Sequence, residues 1–171
     1  MLEEEVSVLD GQVAISINGP EGQPFQVLLE YVPTIDKYEP NNDASYAKEV
    51  IPGEPVSAYL FPPRFSSLPN QKERKDADYY KVKLSRGGNV IVDVSNVPDG
   101  TSVKIGIISP SGSERISQTS GFGEPLKFSS TVSQGYAIFY IISGEISDPG
   151  YGAYSTEPYI FTVTTRANSI E

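Results

Sequence analysis

The 171-residue chain contains no histidine, no cysteine and no tryptophan. Without histidine and cysteine it cannot by itself form a Ser-His-Asp triad, a Cys-His nucleophile pair, a disulfide or a Cys/His zinc site. Positive charge is also scarce, because 13 Lys and Arg stand against 22 Asp and Glu, a formal net charge of -9. Such an acidic surface repels a phosphate backbone, so we expect no nucleic-acid partner. What remains is oxygen-ligand chemistry: binding of hard cations, carboxylate catalysis, or no catalysis.

Long hydrophobic runs are absent as well. The longest apolar run is Tyr136–Ile142, far short of the roughly 20 residues that a membrane-spanning helix needs. We therefore expect no membrane span. The proportions of hydrophobic residues (38%) and charged residues (20%) nevertheless indicate a folded domain and not a disordered chain.

Most of the chain alternates apolar and polar residues with a period of two, which is typical of half-buried strands. Turn sequences such as Pro98-Asp99-Gly100 separate the strands. The sequence predicts an all-β fold, an antiparallel jelly-roll-like β-sandwich of about eight strands with two or three extra N-terminal strands. The predicted main strands are Val56–Leu60, Tyr79–Leu84, Val90–Ser95, Val103–Ser109, Glu114–Ser120, Leu126–Val132, Tyr136–Ser143 and Tyr159–Thr165.

The alternation also predicts which side chains face the core. Lys81 and Lys83, together with Tyr79, are expected on the outer face of their strand. Outside the strands, only Ala44–Val50 suits a helical turn or two. The predicted core positions are Tyr80, Val82, Leu84, Val90, Val92, Val94, Val103, Ile105, Ile107, Phe161 and Val163.

Three segments organise the chain. Residues 34–43 are polar, contain Pro40 and two asparagines, and are interpreted as a linker to a β-sandwich over residues 44–171. We expect residues 1–33 to be the terminal strands of an upstream domain, because Pro24–Val32 resembles the closing strand Pro158–Thr165. Two or three strands cannot bury a core alone. Residues 1–33 therefore either extend the same sandwich or pair with a second copy, which would give self-association.

Two groups of oxygen-bearing side chains are candidates for a metal site. Glu39, Asn41 and Asp43 lie at the end of the linker, and Asp76 and Asp78 precede a strand. Calcium needs six to eight oxygen ligands, which carboxylates, amides and backbone carbonyls on irregular chain supply. The alternative is that these residues only form turns, which Asp and Asn favour without any metal.

The same residues carry a resemblance to a known family. The chain resembles the bacterial and archaeal pre-peptidase C-terminal domain over about residues 36–166. The features that match are Tyr38-Glu39-Pro40-Asn41-Asn42-Asp43, then Ala47, Gly53 and Val56, then Asp76-Ala77-Asp78-Tyr79-Tyr80-Lys81-Val82, the Gly88–Val94 strand, Ser109-Pro110-Ser111-Gly112, Gly135-Tyr136 and Tyr159–Val163.

This resemblance implies a non-catalytic accessory domain of a secreted hydrolase, often a peptidase, similar to the collagen-binding modules of clostridial collagenases. Its partners would be an upstream catalytic domain of the same polypeptide and a polymeric substrate, either protein or polysaccharide, and it would be secreted or at the cell surface. Some such domains hold Ca²⁺ where the linker meets the sandwich. The ligands implied here are Glu39, Asn41, Asp76 and Asp78, with Asp43 replacing the Asp that usually follows the Asn. Lys37 stands where calcium-binding relatives have a second Glu.

Other roles rest on weaker patterns. Carboxylate pairs suffice for glycosidases, but the remaining acids lie in turns and at strand edges, so we expect no enzymatic activity. Tyr151 and Tyr154 flank Gly152 in a loop and form a candidate ligand-binding surface, because exposed tyrosines can stack on sugars or grip a peptide. A carbohydrate- or protein-binding module, or a cell-surface structural repeat joined by strand pairing, is therefore the alternative function.

Overall fold

The computed structural model describes residues 36–60, 76–108, 114–143 and 157–167. The predicted strands within residues 1–33, and Tyr151 and Tyr154, lie outside these ranges. The described chain contains one 3-10 turn, Ala44–Tyr46. Its nine strands are β1 Lys48–Glu49, β2 Val56–Ala58, β3 Ala77–Leu84, β4 Gly88–Asn96, β5 Val103–Ile108, β6 Glu114–Thr119, β7 Leu126–Val132, β8 Gly135–Ser143 and β9 Tyr159–Ala167.

The strands form two sheets with the topology of a jelly roll. One sheet has the order β2-β9-β4-β7, and the other has the order β1-β3-β8-β5-β6. The pairs β2–β9, β3–β8, β4–β7 and β5–β6 are all antiparallel. From β2 to β9 the chain is therefore a long hairpin whose two ends pair, rolled so that successive strand pairs fall alternately in the two sheets. This confirms the predicted antiparallel sandwich.

The core lies between the sheets and includes every residue that the alternation predicts. The Val and Ile residues at the inward positions of β4 and β5 are at most 1% exposed. Aromatic rings join the two sheets: the Tyr80 ring of β3 lies 4.8 Å from the Phe161 ring of β9, and Phe139 of β8 lies 5.8 Å from Phe161. Such ring pairs add about 0.5–1.5 kcal/mol beyond the area that they bury.

The prediction for Ala44–Val50 is confirmed only in its first half. The 3-10 turn ends at Tyr46, and Lys48–Glu49 forms a parallel bridge with Tyr80 and Lys81 of β3. The backbone N–H of Val50 then donates to the carbonyl of Lys81, at 3.0 Å. This short segment pairs with β3 because the unpaired edge of β3 has free backbone donors and acceptors. A segment in the 3-10 conformation could not form these hydrogen bonds. In the described part of the chain, no helix is long and apolar enough to cross a membrane.

Candidate metal centre

Residues 36–43, here called the incoming segment, are fixed to the sandwich by Asp36. The Oδ1 atom of Asp36 accepts from the backbone N–H of Tyr38, and its Oδ2 atom accepts from the N–H of Tyr59, both at 2.8 Å. The ring of Tyr38 packs edge-on against Tyr80, with centroids 5.7 Å apart. One carboxylate thus turns the chain locally and ties it to residues just past β2, so the segment predicted to be a linker packs against the sandwich.

The second half of the incoming segment runs beside the start of β3. The N–H of Tyr79 donates to the carbonyl of Asn41 at 2.9 Å, and the N–H of Ala77 donates to Oδ1 of Asn42 at 3.5 Å. Oε2 of Glu39 accepts from the Asn41 N–H at 3.2 Å and from Nδ2 of Asn42 at 3.0 Å. The Glu39–Pro40 peptide bond is cis. These contacts hold Glu39 next to the first residues of β3.

Three carboxylates meet at this point. One oxygen each from Glu39, Asp76 and Asp78 lie within 4.8 Å of one another. Asp76 and Asp78 are two residues apart, so the alternation of an extended chain directs both to one side. Since Ca–O bonds measure about 2.3–2.6 Å, oxygens on opposite sides of one ion are about 5 Å apart. The group could therefore hold a metal ion.

Buried polar atoms mark the same place. Asp78 and Asn41 are both 0% exposed. Among the described residues, Oδ1 of Asp78 and both side-chain polar atoms of Asn41 have no hydrogen-bond partner. A buried polar group without a partner costs about 1–3 kcal/mol, and native proteins keep few of them. Asp78 therefore combines membership of the carboxylate group with an unpaired oxygen, which a bound cation would satisfy.

The electrostatics of Asp78 point the same way. Its pKa lies well above the ordinary value, first because burial disfavours the charged form and second because the Asp76 carboxylate lies nearby. Asp36 and Glu39 raise the pKa further, while the hydrogen bond from Tyr159 lowers it. A site in which carboxylates disfavour one another's charge is stabilised by a positive ion.

A buried chain of hydroxyls connects Asp78 to the core. The hydroxyl of Tyr159 donates to Oδ2 of Asp78 and shares a 2.7 Å hydrogen bond with the hydroxyl of Tyr80. Burial and the Asp78 charge raise the pKa of both tyrosines well above the ordinary value, so both remain neutral hydroxyl donors. Because Tyr159 belongs to β9 and Asp78 to β3, these hydrogen bonds link the candidate site to both sheets.

The predicted site residues divide into two sets. Glu39, Asp76 and Asp78 are brought together, and Asn41 lies buried next to β3. Asp43 caps the 3-10 turn instead, since its Oδ1 accepts from both the N–H and the hydroxyl of Ser45 at 2.8 Å. The role of Asp43 as a metal ligand stays a prediction. So does the ligand-binding surface of Tyr151 and Tyr154, which lie outside the described ranges.

Sequence reasoning missed three participants: Asp36, Asn42 and Tyr159. Asp36 gives little signal, because one of its two backbone donors comes from Tyr59, 23 residues away. Asn42 gives no signal beyond its place in the Glu-Pro-Asn-Asn motif, although its side chain accepts a hydrogen bond at the start of β3. Tyr159 resembles an ordinary aromatic at the start of a strand, and only the pairing of the sheets places its hydroxyl beside Asp78.

The candidate site must be interpreted from its own geometry. In comparisons with known proteins, no family model and no curated sequence matches this chain. The resemblance to the pre-peptidase C-terminal domain stays a prediction from the residues that carry it.

Proposed function

We propose that this chain is a non-catalytic accessory module of a secreted hydrolase, and that a calcium ion fastens its incoming segment to the sandwich. The observation that supports the proposal is the group formed by Glu39, Asp76 and the buried Asp78, together with the unpaired Oδ1 of Asp78. Glu39 belongs to the incoming segment and the two aspartates to the start of β3. An ion between them would cross-link the two parts of the chain.

Calcium suits this site better than the smaller magnesium ion. Calcium accepts six to eight oxygens in irregular geometry, including amide and backbone oxygens, whereas magnesium demands a near-ideal octahedron and retains its waters. Here the donors are carboxylates at irregular spacing, joined by the buried Asn41, whose amide oxygen has no hydrogen-bond partner among the described residues. Glu39, Asn41, Asp76 and Asp78 would hold the ion, which supplies positive charge to a buried carboxylate.

The described surface supports the non-catalytic part of the proposal. Among the described residues, the ionisable groups whose pKa lies well above the ordinary value are Asp78, Tyr80 and Tyr159, and all three are buried inside the sandwich. A cavity between the ends of β3 and β9 has a volume of about 100 Å³, too small to enclose a whole substrate, since ligand pockets usually exceed about 300 Å³. These features favour a structural site and a binding or positioning module.

The calcium proposal is tested by thermal unfolding of the full chain, monitored by far-UV circular dichroism. The melt is recorded in EDTA, in excess calcium and in excess magnesium. An ion at about 100 times its Kd adds about 2.7 kcal/mol, which corresponds to a rise in Tm of about 5–10 °C for a chain of this size. We expect this rise with calcium and a smaller one with magnesium. An unchanged Tm in calcium would contradict the proposal.

Two variants and one control locate the effect. Asp78→Asn and Glu39→Gln each remove one charged ligand and should abolish most of the calcium-dependent rise. Glu54→Gln removes an exposed carboxylate from a turn outside the site and should retain all of it. A calcium effect that persists in Asp78→Asn would place the ion elsewhere.

A further inference from the structure

The far end of β3 carries a second, oppositely charged feature. A cavity of about 100 Å³ lies between the ends of β3 and β9, and its lining includes Lys83, Ser85, Arg86 and Thr165. Lys83, Ser85 and Arg86 are exposed. Among the described residues, the lining thus combines two cationic side chains with two hydroxyls and includes no carboxylate. In a chain with a net charge of -9, this local excess of positive charge is unexpected.

An exposed aromatic ring lies beside this cavity. Tyr136 of β8 is 50% exposed and is paired directly across the sheet with Lys83. Opposite side chains of an antiparallel pair have Cβ atoms about 4.5–5.5 Å apart, so the ring and the ammonium group share one surface. The Nζ atom of Lys81 lies 5.4 Å from the centroid of the Tyr136 ring. One carboxylate is near, since the Tyr136 hydroxyl donates to Oε2 of Glu49 at 3.3 Å.

We propose that this end of the sandwich, made of Lys83, Ser85, Arg86, Thr165 and Tyr136, binds an anionic polysaccharide of the uronic-acid class. The planar guanidinium of Arg86 and the ammonium of Lys83 match a carboxylate. The hydroxyls of Ser85 and Thr165 match sugar hydroxyls, and the Tyr136 ring offers an apolar face on which a pyranose ring stacks. The cavity holds several waters, since roughly 10–15 Å³ suffices for one, so a sugar carboxylate fits.

The same features favour a polysaccharide over an acidic peptide. The Tyr136 ring stands on β8, whose backbone is paired on both sides, with β3 and with β5, so a ligand stacked on this ring contacts side chains and not backbone. A glycan needs no backbone pairing, only stacking and polar contacts on the outer face. The Tyr136 ring supplies the stacking surface, and the two exposed cations next to it supply the polar contacts.

This site is separate from the proposed calcium site. Lys83 lies five residues after Asp78 on β3, about 17 Å along an extended strand. That distance exceeds the Debye length of about 8 Å at physiological ionic strength. The proposal names a substrate class for the accessory role and rests on that role, but its binding site needs no metal ion. Failure of glycan binding and failure of the calcium melt are therefore distinguishable results.

The test is a titration of the full chain with polygalacturonate in buffer without added calcium, because calcium cross-links this polymer, and binding is measured by affinity electrophoresis or calorimetry. Poly-glutamate is the acidic-peptide probe, and dextran is the neutral polysaccharide. We expect binding of polygalacturonate that weakens with added salt. Little or no binding of dextran or poly-glutamate is expected. No binding of polygalacturonate, or equal binding of poly-glutamate, would overturn the proposal.

Variants decide where the polymer binds. The double variant K83A/R86A should weaken binding about tenfold, since each exposed charge pair contributes up to about 1 kcal/mol, and Tyr136→Ala should weaken it further. Lys127→Ala is the matched control, because Lys127 is an exposed lysine on the other sheet. All variants are first checked for an unchanged circular dichroism spectrum. Equal binding by K83A/R86A and K127A would show that the contact is non-specific and would overturn the proposal.

Discussion

The hydroxyl of Tyr159 makes the sharpest test of the buried network, because one oxygen atom connects both sheets to the candidate metal centre. Tyr159→Phe keeps the ring and its packing against Phe161 but removes the hydroxyl. Two interactions are lost: the donation to Oδ2 of Asp78 and the 2.7 Å hydrogen bond shared with Tyr80. Both partners are left buried, at 0% exposure.

The expected cost follows from the two lost interactions. A hydrogen bond to a charged group contributes about 1.5–3 kcal/mol, and a neutral one about 0.5–1.5 kcal/mol. We therefore expect Tyr159→Phe to lower the free energy of unfolding by about 2–4 kcal/mol in calcium, where the ion keeps Asp78 charged. In EDTA the loss should be smaller, because the raised pKa of Asp78 favours the neutral acid, which makes weaker hydrogen bonds.

Urea unfolding monitored by far-UV circular dichroism measures this cost. The control is Tyr46→Phe, in which the lost hydroxyl belongs to a side chain that is 65% exposed, and it should be within about 0.5 kcal/mol of the parent. A double-mutant cycle with Asp78→Asn then isolates the coupling between the two residues. A Tyr159→Phe variant as stable as the Tyr46→Phe control, with no coupling to position 78, would refute the reasoning.

Two further predictions concern charge and backbone contact. In EDTA, the native protein retains a proton on Asp78 that the unfolded chain releases above about pH 3.9, because the native pKa is raised. The free energy of unfolding should therefore fall as pH rises from about 4 toward the native pKa, and urea midpoints should show a shallower fall in Asp78→Asn. At Gly88, a Cβ would lie 2.2 Å from the carbonyl oxygen of Arg166, so Gly88→Ala should cost about 2 kcal/mol or more. Gly87→Ala, whose Cβ would lie 3.3 Å from the nearest backbone atom, should cost clearly less in the same urea assay.

The strands were predictable because every one of them lies in a two-layer sandwich. A strand with one face on the core alternates buried and exposed side chains, and burial alternates in this way over the whole length of Ala77–Leu84. The predicted ends differ from the observed ends by at most a few residues, because pairing with a neighbour extends a strand into polar sequence. Gly88 joins β4 this way through its pairing with Ala167. A two-residue strand such as Lys48–Glu49 has no periodicity to detect.

The residue types of the candidate site were predictable from the sequence, but its partner across the sandwich was not. The turn-rich composition of the linker and the two aspartates before β3 indicated oxygen ligands. Alternation assigns Tyr80, Val82 and Leu84 to the core, and Asp78 has the same parity. The burial of Asp78 is therefore implied by the same pattern that predicted the core. What no local pattern contains is the partner across the sandwich, since Tyr159 is 81 residues away.

The two ends of β3 show how alternation separates two kinds of charge. Asp78 and Lys83 differ in parity, so the acid faces the core and the base faces solvent. A buried carboxylate beside other carboxylates is costly unless it is protonated or a cation remains bound, so the proposed ion would be part of the folded structure. An exposed lysine retains its hydration and exchanges partners at little cost. The acidic end of β3 therefore suits a permanent structural ion, and the basic end suits a ligand that binds and leaves.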